Sequence, residues 1–470
     1  MPDGGGGGGG LKGRRLDRSI AEGPVGRAVW RLAWPTMLQN VIGGVQGIAD
    51  HAMVGHYVGH AGNAAIGVSW QIFLVVQVFL GSLFTGMGVL VARYAGMNRP
   101  ERVNRVVAQT LLTAACLSFV VLAPLGYVLA PRLLELVNAA PAVQADSLPY
   151  IRTMFIFSFG MLVFFMLGGA LRSAGDARTP LRLGIWMTAL NVVASVILIR
   201  GLGPIPGFGT LGAALGTALA SWVVALGAAW ALFTGRWVIR LRPGSDWRPD
   251  PAIIRQLFRF GIPTGIQGVA MNVGGVILLR FIGSLPDSAE AQAAYAVGYT
   301  QLFSLVTWTS VGLMAATAAV SGQSLGARRP ERVALAVRAT SRIGLGVGAG
   351  VGSLFLLAPG FLLHLFGMDD PVARAIGSEL LAFLSVSGVF VAVALTYNGA
   401  LQGTGDTRGA MYISLVSQLA LPLGVCWGVQ QVATLQSHHV WTAILLGHVS
   451  RCLLGIGRFR QGHWRRIEVE

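Results

Sequence analysis

Charged side chains are scarce. They make up 11% of the 470 residues while 54% are hydrophobic, where an ordinary soluble domain carries roughly 25% charged residues. That all but excludes a soluble enzyme, and no nucleophile with its base, phosphate loop or metal cluster appears. Cysteine is nearly absent: Cys116, Cys426 and Cys452 each lie in an apolar run, far from one another. No disulfide framework or zinc site is implied. His56 and His60 have ligand-like spacing but no third ligand beside them, so no metal is expected. Acidic residues number 19 against 35 basic ones, a net charge of +16. In a soluble protein this excess would suggest nucleic acid, whereas a hydrophobic chain can hold basic residues at a membrane face. Glycine and proline are plentiful, 65 and 20, but dispersed among long apolar runs apart from Gly4–Gly10, which excludes a collagen-like or mostly disordered chain.

What is abundant is apolar sequence. A spanning helix needs about 20 largely apolar residues. Twelve runs qualify, near 31–56, 64–92, 104–129, 149–172, 181–201, 210–235, 256–283, 292–322, 334–358, 377–400, 410–430 and 438–457. An even number puts both termini on one side. Of the 35 basic residues, only Arg132, Arg152, Arg200, Arg280 and Arg374 fall on the opposite side. The positive-inside rule therefore makes both termini cytoplasmic, and it accounts for the charge without nucleic acid. The first apolar run is too long for a signal-peptide core, so no cleaved signal is expected.

The chain repeats itself. Residues 96–103 (GMNRPERV) recur as 326–333 (GARRPERV), and 171–178 (LRSAGDAR) recur as 401–408 (LQGTGDTR), both at an offset of 230. Arg31, Pro35, Thr36, Gln39 and Val41 recur as Arg259, Pro263, Thr264, Gln267 and Val269 at 228. An offset spanning six helices, with both copies on one face, gives two parallel six-helix halves related by an axis along the membrane normal. The expected fold is an all-α integral membrane protein, twelve helices in two lobes around a central cavity. Its expected divisions are a flexible tail 1–29, an N-terminal lobe 30–235, a linker 236–255, a C-terminal lobe 256–457 and a tail 458–470. In the repeated loops, Asp176 and Asp406 read as turn-capping residues paired with Arg178 and Arg408.

These features together resemble the multidrug and toxic compound extrusion (MATE) family. The residues that carry the resemblance are Trp34-Pro35, Asp50 followed by Met53-Val54-Gly55, the loop Leu171-Arg172 to Arg178-Thr179-Pro180, and its degenerate copy at 401–408. The resemblance extends from about Arg31 to Arg460. It implies an antiporter of the bacterial inner membrane that expels small amphipathic, often cationic compounds in exchange for protons or sodium ions. Membrane lipids would be its other partners, it would work as a monomer, and it would need no cofactor beyond the coupling ion. A flippase for lipid-linked saccharides, from the same superfamily, is the alternative; a major-facilitator carrier, also two parallel halves, ranks last.

Asp50 is the one acidic residue clearly inside a span. An ionised carboxylate there costs about 2.5–3.5 kcal/mol on insertion scales, so it is expected to have a task. It is the candidate ion-coupling group, with an interfacial Asp as the competing reading. Polar neighbours that could retune it or complete a cation shell are Asn191 and Ser195 on helix 5 and Thr217 on helix 6. Taken singly, these three fit helix packing as well. Many family members carry a second carboxylate where this chain has Ser195, which favours protons over sodium. Leu278 occupies the position repeated from Asp50, and Asn272 and Val391 stand where another branch carries acids. The resemblance is thus to the DinF-like branch, with coupling in the N-terminal lobe alone.

Repeat symmetry lets helices 1, 2, 7 and 8 line the cleft, offering Met37, Gln46, Met53, Trp70, Phe73, Met271 and Phe303 as an adaptable wall. Taken alone, each of these is more often helix packing. Pro35 and Pro263 are candidate bending points of helices 1 and 7. His448 reads as a histidine hydrogen-bonded between helices, Arg451 as a snorkelling cation, and Arg280 as reaching the headgroups.

Overall fold

The computed structural model describes Leu16 and residues 18–137, 140–204, 206–241 and 247–468; the glycine run of the tail lies outside the described residues. Twelve long helices follow one another: α1 Val25–Tyr57, α2 His60–Gly96, α3 Pro100–Leu136, α4 Pro141–Ile156 continued by Ser158–Ser173, α5 Arg178–Arg200 and α6 Thr210–Phe233. The second half adds α7 Pro251–Gly283, α8 Ser288–Gly326, α9 Pro330–Leu357, α10 Pro371–Thr404, α11 Thr407–Val432 and α12 Ser437–Arg460. Ten are individually long and apolar enough to cross a membrane, and the two pieces of α4, bent by 53° at Phe157, make an eleventh span. The remaining helix, α1, carries Arg27, Arg31, Gln39, Asn40, Gln46 and Asp50. These polar residues lower its apolar character below that of the other spans.

Most helices run past their apolar runs by one or two turns, because interfacial polar residues continue a helix once the backbone is committed. Starts are marked chemically. Proline occupies the first turn of α3, α7, α9 and α10, where its missing N–H costs nothing. Asp250 and Asp370 cap α7 and α10 by accepting from backbone amides. The stretches expected as a tail and a linker are partly built into the fold. Ser19–Glu22 forms a helical turn and α7 already begins at Pro251.

The repeat is visible in the backbone. Asn98 and Arg328 share a left-handed conformation, φ 56° and 58°, as do Gly175 and Gly405 at 100° and 97°. Asp176 accepts from Arg178 N, Thr179 N and the Thr179 hydroxyl, which caps α5. Asp406 accepts from Gly409 N and pairs with Arg458 Nε at 2.8 Å. The expected Asp176–Arg178 and Asp406–Arg408 side-chain pairs are thus corrected. Each carboxylate is turned onto the amides of its own first turn, so the cation that reaches Asp406 comes from across the bundle, on α12.

The lobes meet through exchanged helices: α1 lies along α8 and α7 along α2. Gly44 faces Trp308 and Gly312 faces Met37, while Gly86 abuts the Leu257 backbone and Gly261 that of Ser82. Asn40 Nδ2 donates to Trp308 O at 3.0 Å. On the face that holds both termini, α2 and α8 cross. A Cβ on Gly96 would lie 2.0 Å from Gln323 O, and one on the repeat-related Gly326 2.2 Å from Arg93 O. Those neighbours also bridge the lobes, Arg93 Nη2 to Thr404 O at 3.0 Å and Gln323 Nε2 to Ser173 O at 2.7 Å. The terminal segments complete the seal. Ile20 sits over Gly175 while Arg332 holds its carbonyl, and Ile467 sits over Gly405 while Arg93 holds its carbonyl.

Gly96→Val therefore forces α2 and α8 apart, at a cost of about 1–3 kcal/mol by overpacking. A lowered thermal midpoint of the purified protein is the expected outcome. Gly346→Ala, in open space, serves as the control, and equal midpoints for the two would contradict the crossing.

Candidate functional site

Asp50 is positioned by the packing of α1 on α5. Both helices run outward from the terminal face, and Thr188 Oγ1 donates to Gln46 Oε1 at 2.9 Å between them. One turn farther out on each helix come Asp50 and Asn191, which share a depth by this register. Asn191 Nδ2 donates to Thr217 Oγ1 at 2.8 Å, joining α5 to α6, and Thr217 in turn donates to Ala213 O at 3.1 Å. Asn191 and Ser195 are fully buried, and Thr217 nearly so. Gly216 lets α6 approach so closely that a Cβ there would sit 2.4 Å from Ser195 Oγ.

What distinguishes this cluster is what it leaves unpaired. Asp50 Oδ1, Asn191 Oδ1 and Ser195 Oγ are buried and accept no hydrogen bond from the protein. An unsatisfied buried polar group costs about 1–3 kcal/mol, more if charged. An unpartnered carboxylate oxygen on α1, with two further unpartnered oxygens on the helix tied to it by Thr188, suits a proton or a small cation. Tyr150, nearly buried on α4, lies within electrostatic reach of Asp50. Sequence reasoning missed both it and Thr188, since neither breaks the apolar pattern in a way that singles it out.

A cavity of about 520 Å³ lies between the lobes, with Trp70, Gln77 and Phe84 of α2, Phe165 and Arg172 of α4 and Gln402 of α10 in its wall. Among the described residues Arg172 is the only charged one in this wall, and its Nη1 donates to Gln39 Oε1 at 3.0 Å. Of the seven residues expected to line the cleft, only Trp70 does so here. Met37 packs in the α1–α8 contact, Gln46 is held by Thr188, and Met53 packs on the N-terminal-lobe core. Phe73 belongs to that core, its ring 5.6 Å from Phe155. Phe303 is fully buried in the C-terminal-lobe core. Arg172 had a signal, its place in the repeated loop, but that loop was read as structural. Pro35 and Pro263 lie inside α1 and α7, which continue through them unbroken.

The C-terminal lobe has its own cavity of about 340 Å³, and Leu278, the repeat of Asp50, lines it together with Met271, Asn272 and His448. Val391 is buried in the apolar core. The reading of His448 as hydrogen-bonded between helices is corrected: neither ring nitrogen has a partner, and the ring stacks 6.4 Å from Tyr299 at 12°. Arg451 does not snorkel. It is 6% exposed, and its Nη2 reaches inward to Ser414 Oγ at 3.4 Å. Arg280 is exposed at the outer end of α7. Among the described residues no group of three or more His, Cys, Asp or Glu could hold a metal; the side chain of His60 lies outside the described residues.

Known proteins agree with this architecture. The MatE family model matches residues 35–197 and again 263–427, once in each lobe. The chain is similar to a probable multidrug resistance protein NorM of Thermotoga maritima, 27% identical over 443 residues, 93% of each chain. A protein of the same description from Deinococcus radiodurans is 28% identical over 450 residues, 92% of this chain and 94% of that one. Among solved structures, an outward-facing multidrug resistance MATE family transporter of the MOP superfamily superposes with a TM-score of 0.88 at 22% identity, over 97% of this chain and all of that one. A MATE structure in its straight conformation gives 0.86 at 23% identity, again over 97% of this chain and all of that one. The chain belongs to the MATE family: it is a multi-pass membrane transporter, not an enzyme.

Proposed function

We propose that the protein is a cation-coupled antiporter that exports small amphipathic molecules by alternating access, with Asp50 as the coupling group. The observation that carries this reading is the buried Asp50 carboxylate oxygen without a partner, on the helix that Thr188 ties to α5, where Asn191 and Ser195 also hold unpartnered oxygens. A proton or cation taken up from outside neutralises the carboxylate and favours outward release of cargo; its loss inward resets the site. A proton is favoured over sodium, because Ser195 supplies no second negative charge to a cation shell. One charge moved through 100 mV supplies about 2.3 kcal/mol, and each unit of pH gradient adds about 1.4 kcal/mol.

Alternation is a parting of the lobes at the terminal face, where α2 and α8 cross, with a matching closure on the other side. The sequence partition assigns thirty of the 35 basic residues to the side of the termini, which favours that face as cytoplasmic and the membrane as a bacterial inner membrane. The duplicated lobes enclose the cavity within one chain, so a monomer suffices. The relatives named as multidrug resistance proteins favour varied amphipathic cargo. The central wall offers cationic cargo no carboxylate, so a cation would be held on the faces of Trp70, Phe84 and Phe165. A lipid-linked saccharide flippase is not favoured, since a single lining arginine is a poor match for a pyrophosphate.

Proteoliposomes under an imposed pH gradient, with and without sodium, test the coupling. Wild type is expected to export dye only with a gradient, and Asp50→Asn to lose at least 90% of that efflux, by roughly the tenfold that about 1.4 kcal/mol represents. Gradient-driven efflux by a properly inserted Asp50→Asn protein would remove Asp50 from the mechanism. For the cargo site, Trp70→Ala is expected to weaken dye binding several-fold through lost stacking. Phe73→Ala instead destabilises the fold by about 3–5 kcal/mol; dye titration and thermal unfolding separate the two.

A further inference from the structure

The unpartnered buried atoms on two helices around the C-terminal-lobe cavity differ in character from those of the Asp50 cluster. In the N-terminal-lobe cluster of Asp50, Asn191 and Ser195 they are oxygens. On α11 and α12 they are nitrogens: Gln418 Nε2, Trp441 Nε1, both ring nitrogens of His448 and Arg451 Nε, while the unpartnered oxygens of that lobe, Gln267 Oε1 among them, lie on α7 to α10. His448 and Arg451 are 4% and 6% exposed. A guanidinium cannot shed its charge in a protein, and placing one at bilayer depth costs about 2.5–3.5 kcal/mol on insertion scales. No salt bridge of Arg451 occurs among the described residues, and the cavity wall beside it contains no carboxylate. Its side chain bonds instead to Ser414, which also accepts from Gln267 Nε2 at 2.9 Å.

The local backbone is specialised at the same place. Tyr299 lies in a π-helical turn, Ala296–Leu302, and Gln418 in another, Leu415–Ala420. Both residues line the 340 Å³ cavity, and π-turns in helices concentrate at functional positions. The corresponding helices of the N-terminal lobe, α2 and α5, are continuous α-helix. His448 lies eleven residues into α12 from Ser437, about 16 Å along the axis, and its ring is stacked against Tyr299. The stack fixes the imidazole edge, with its N–H, at the cavity.

We propose that this C-terminal-lobe cavity, between α7, α8, α11 and α12, is a site for a monovalent anion, either chloride or the carboxylate of a small organic acid. His448 and Gln418 supply N–H donors and Arg451 supplies the balancing charge from one turn deeper. The duplication has thus produced one lobe that takes up positive charge and one that takes up negative charge, Leu278 having replaced the carboxylate. The site is independent of coupling at Asp50.

The test uses the full chain, purified in detergent and exchanged into chloride-free sulfate buffer, which contains no monovalent anion of either kind. Radioactive chloride binding is measured by scintillation proximity, and benzoate binding by calorimetry. Saturable binding of about one anion per chain is expected. Chloride displaced by benzoate identifies a site open to both sources, and benzoate binding without chloride identifies an organic carboxylate. Arg451→Gln should weaken binding at least about tenfold, while Arg451→Lys, which keeps the charge, should stay within about threefold. Asp50→Asn should bind the anion as wild type does, whatever becomes of its efflux. If Arg451→Gln does not elute as a monodisperse protein, His448→Phe decides, since it keeps the stacking ring and removes both nitrogens. Absence of saturable binding of either anion, or undiminished binding by the Arg451→Gln or His448→Phe protein, would overturn the proposal.

Discussion

Inside a membrane bundle a polar atom has no water to fall back on, and leaving one unpaired costs several kcal/mol. That constraint organises this structure. Many buried hydroxyls bond to a carbonyl one turn back, as Thr36, Thr110, Thr317, Thr340 and Thr396 do, while Ser195, Ser310, Ser321, Ser324 and Ser387 have no partner among the described residues. Buried amides bridge helices, as Asn191 does to Thr217 and Gln267 to Ser414. Against that background, small groups of unpartnered atoms in each lobe stand out as places where the fold has left bonding capacity for something that comes and goes.

The same constraint makes the inter-lobe contact reversible. Where α2 and α8 cross, glycines bring backbones together and side chains bond to carbonyls across the gap, Arg93 to Thr404 and Gln323 to Ser173. Such bonds can be exchanged for water at an aqueous face without stranding a buried group. In the proposed alternation, the exchanged pairing of α1 with α8 and α7 with α2 would keep the lobes registered as the crossing opens. Coupling then requires only that the charge state of Asp50 alter how the N-terminal lobe packs.

Much of this was legible in the sequence. Twelve apolar runs, the repeat at 230 residues and a single intramembrane carboxylate reflect hydrophobicity and charge, which act residue by residue. What escaped depends on three-dimensional pairing. The break at Phe157 and the π-turns near Tyr299 and Gln418 leave no compositional trace. Phe73 and Phe303 could not be told from cavity aromatics such as Trp70, because core and cleft both ask for large apolar rings. Arg458 as the partner of Asp406 is set by how α12 lies against the loop. The unsatisfied nitrogens of His448 are a property of its neighbours, and no local pattern announces them.

The account stands on Asp50 exchanging its bound ion when cargo binds. The direct measurement is proton release, followed with a pH indicator as a transported dye is added to weakly buffered protein in detergent. Release of about one proton per chain by wild type and none by Asp50→Asn, at equal dye occupancy, is the predicted result. Equal release by the two proteins, or dye binding without release by wild type in sodium-free solution, would contradict a protonatable Asp50 as the coupling group.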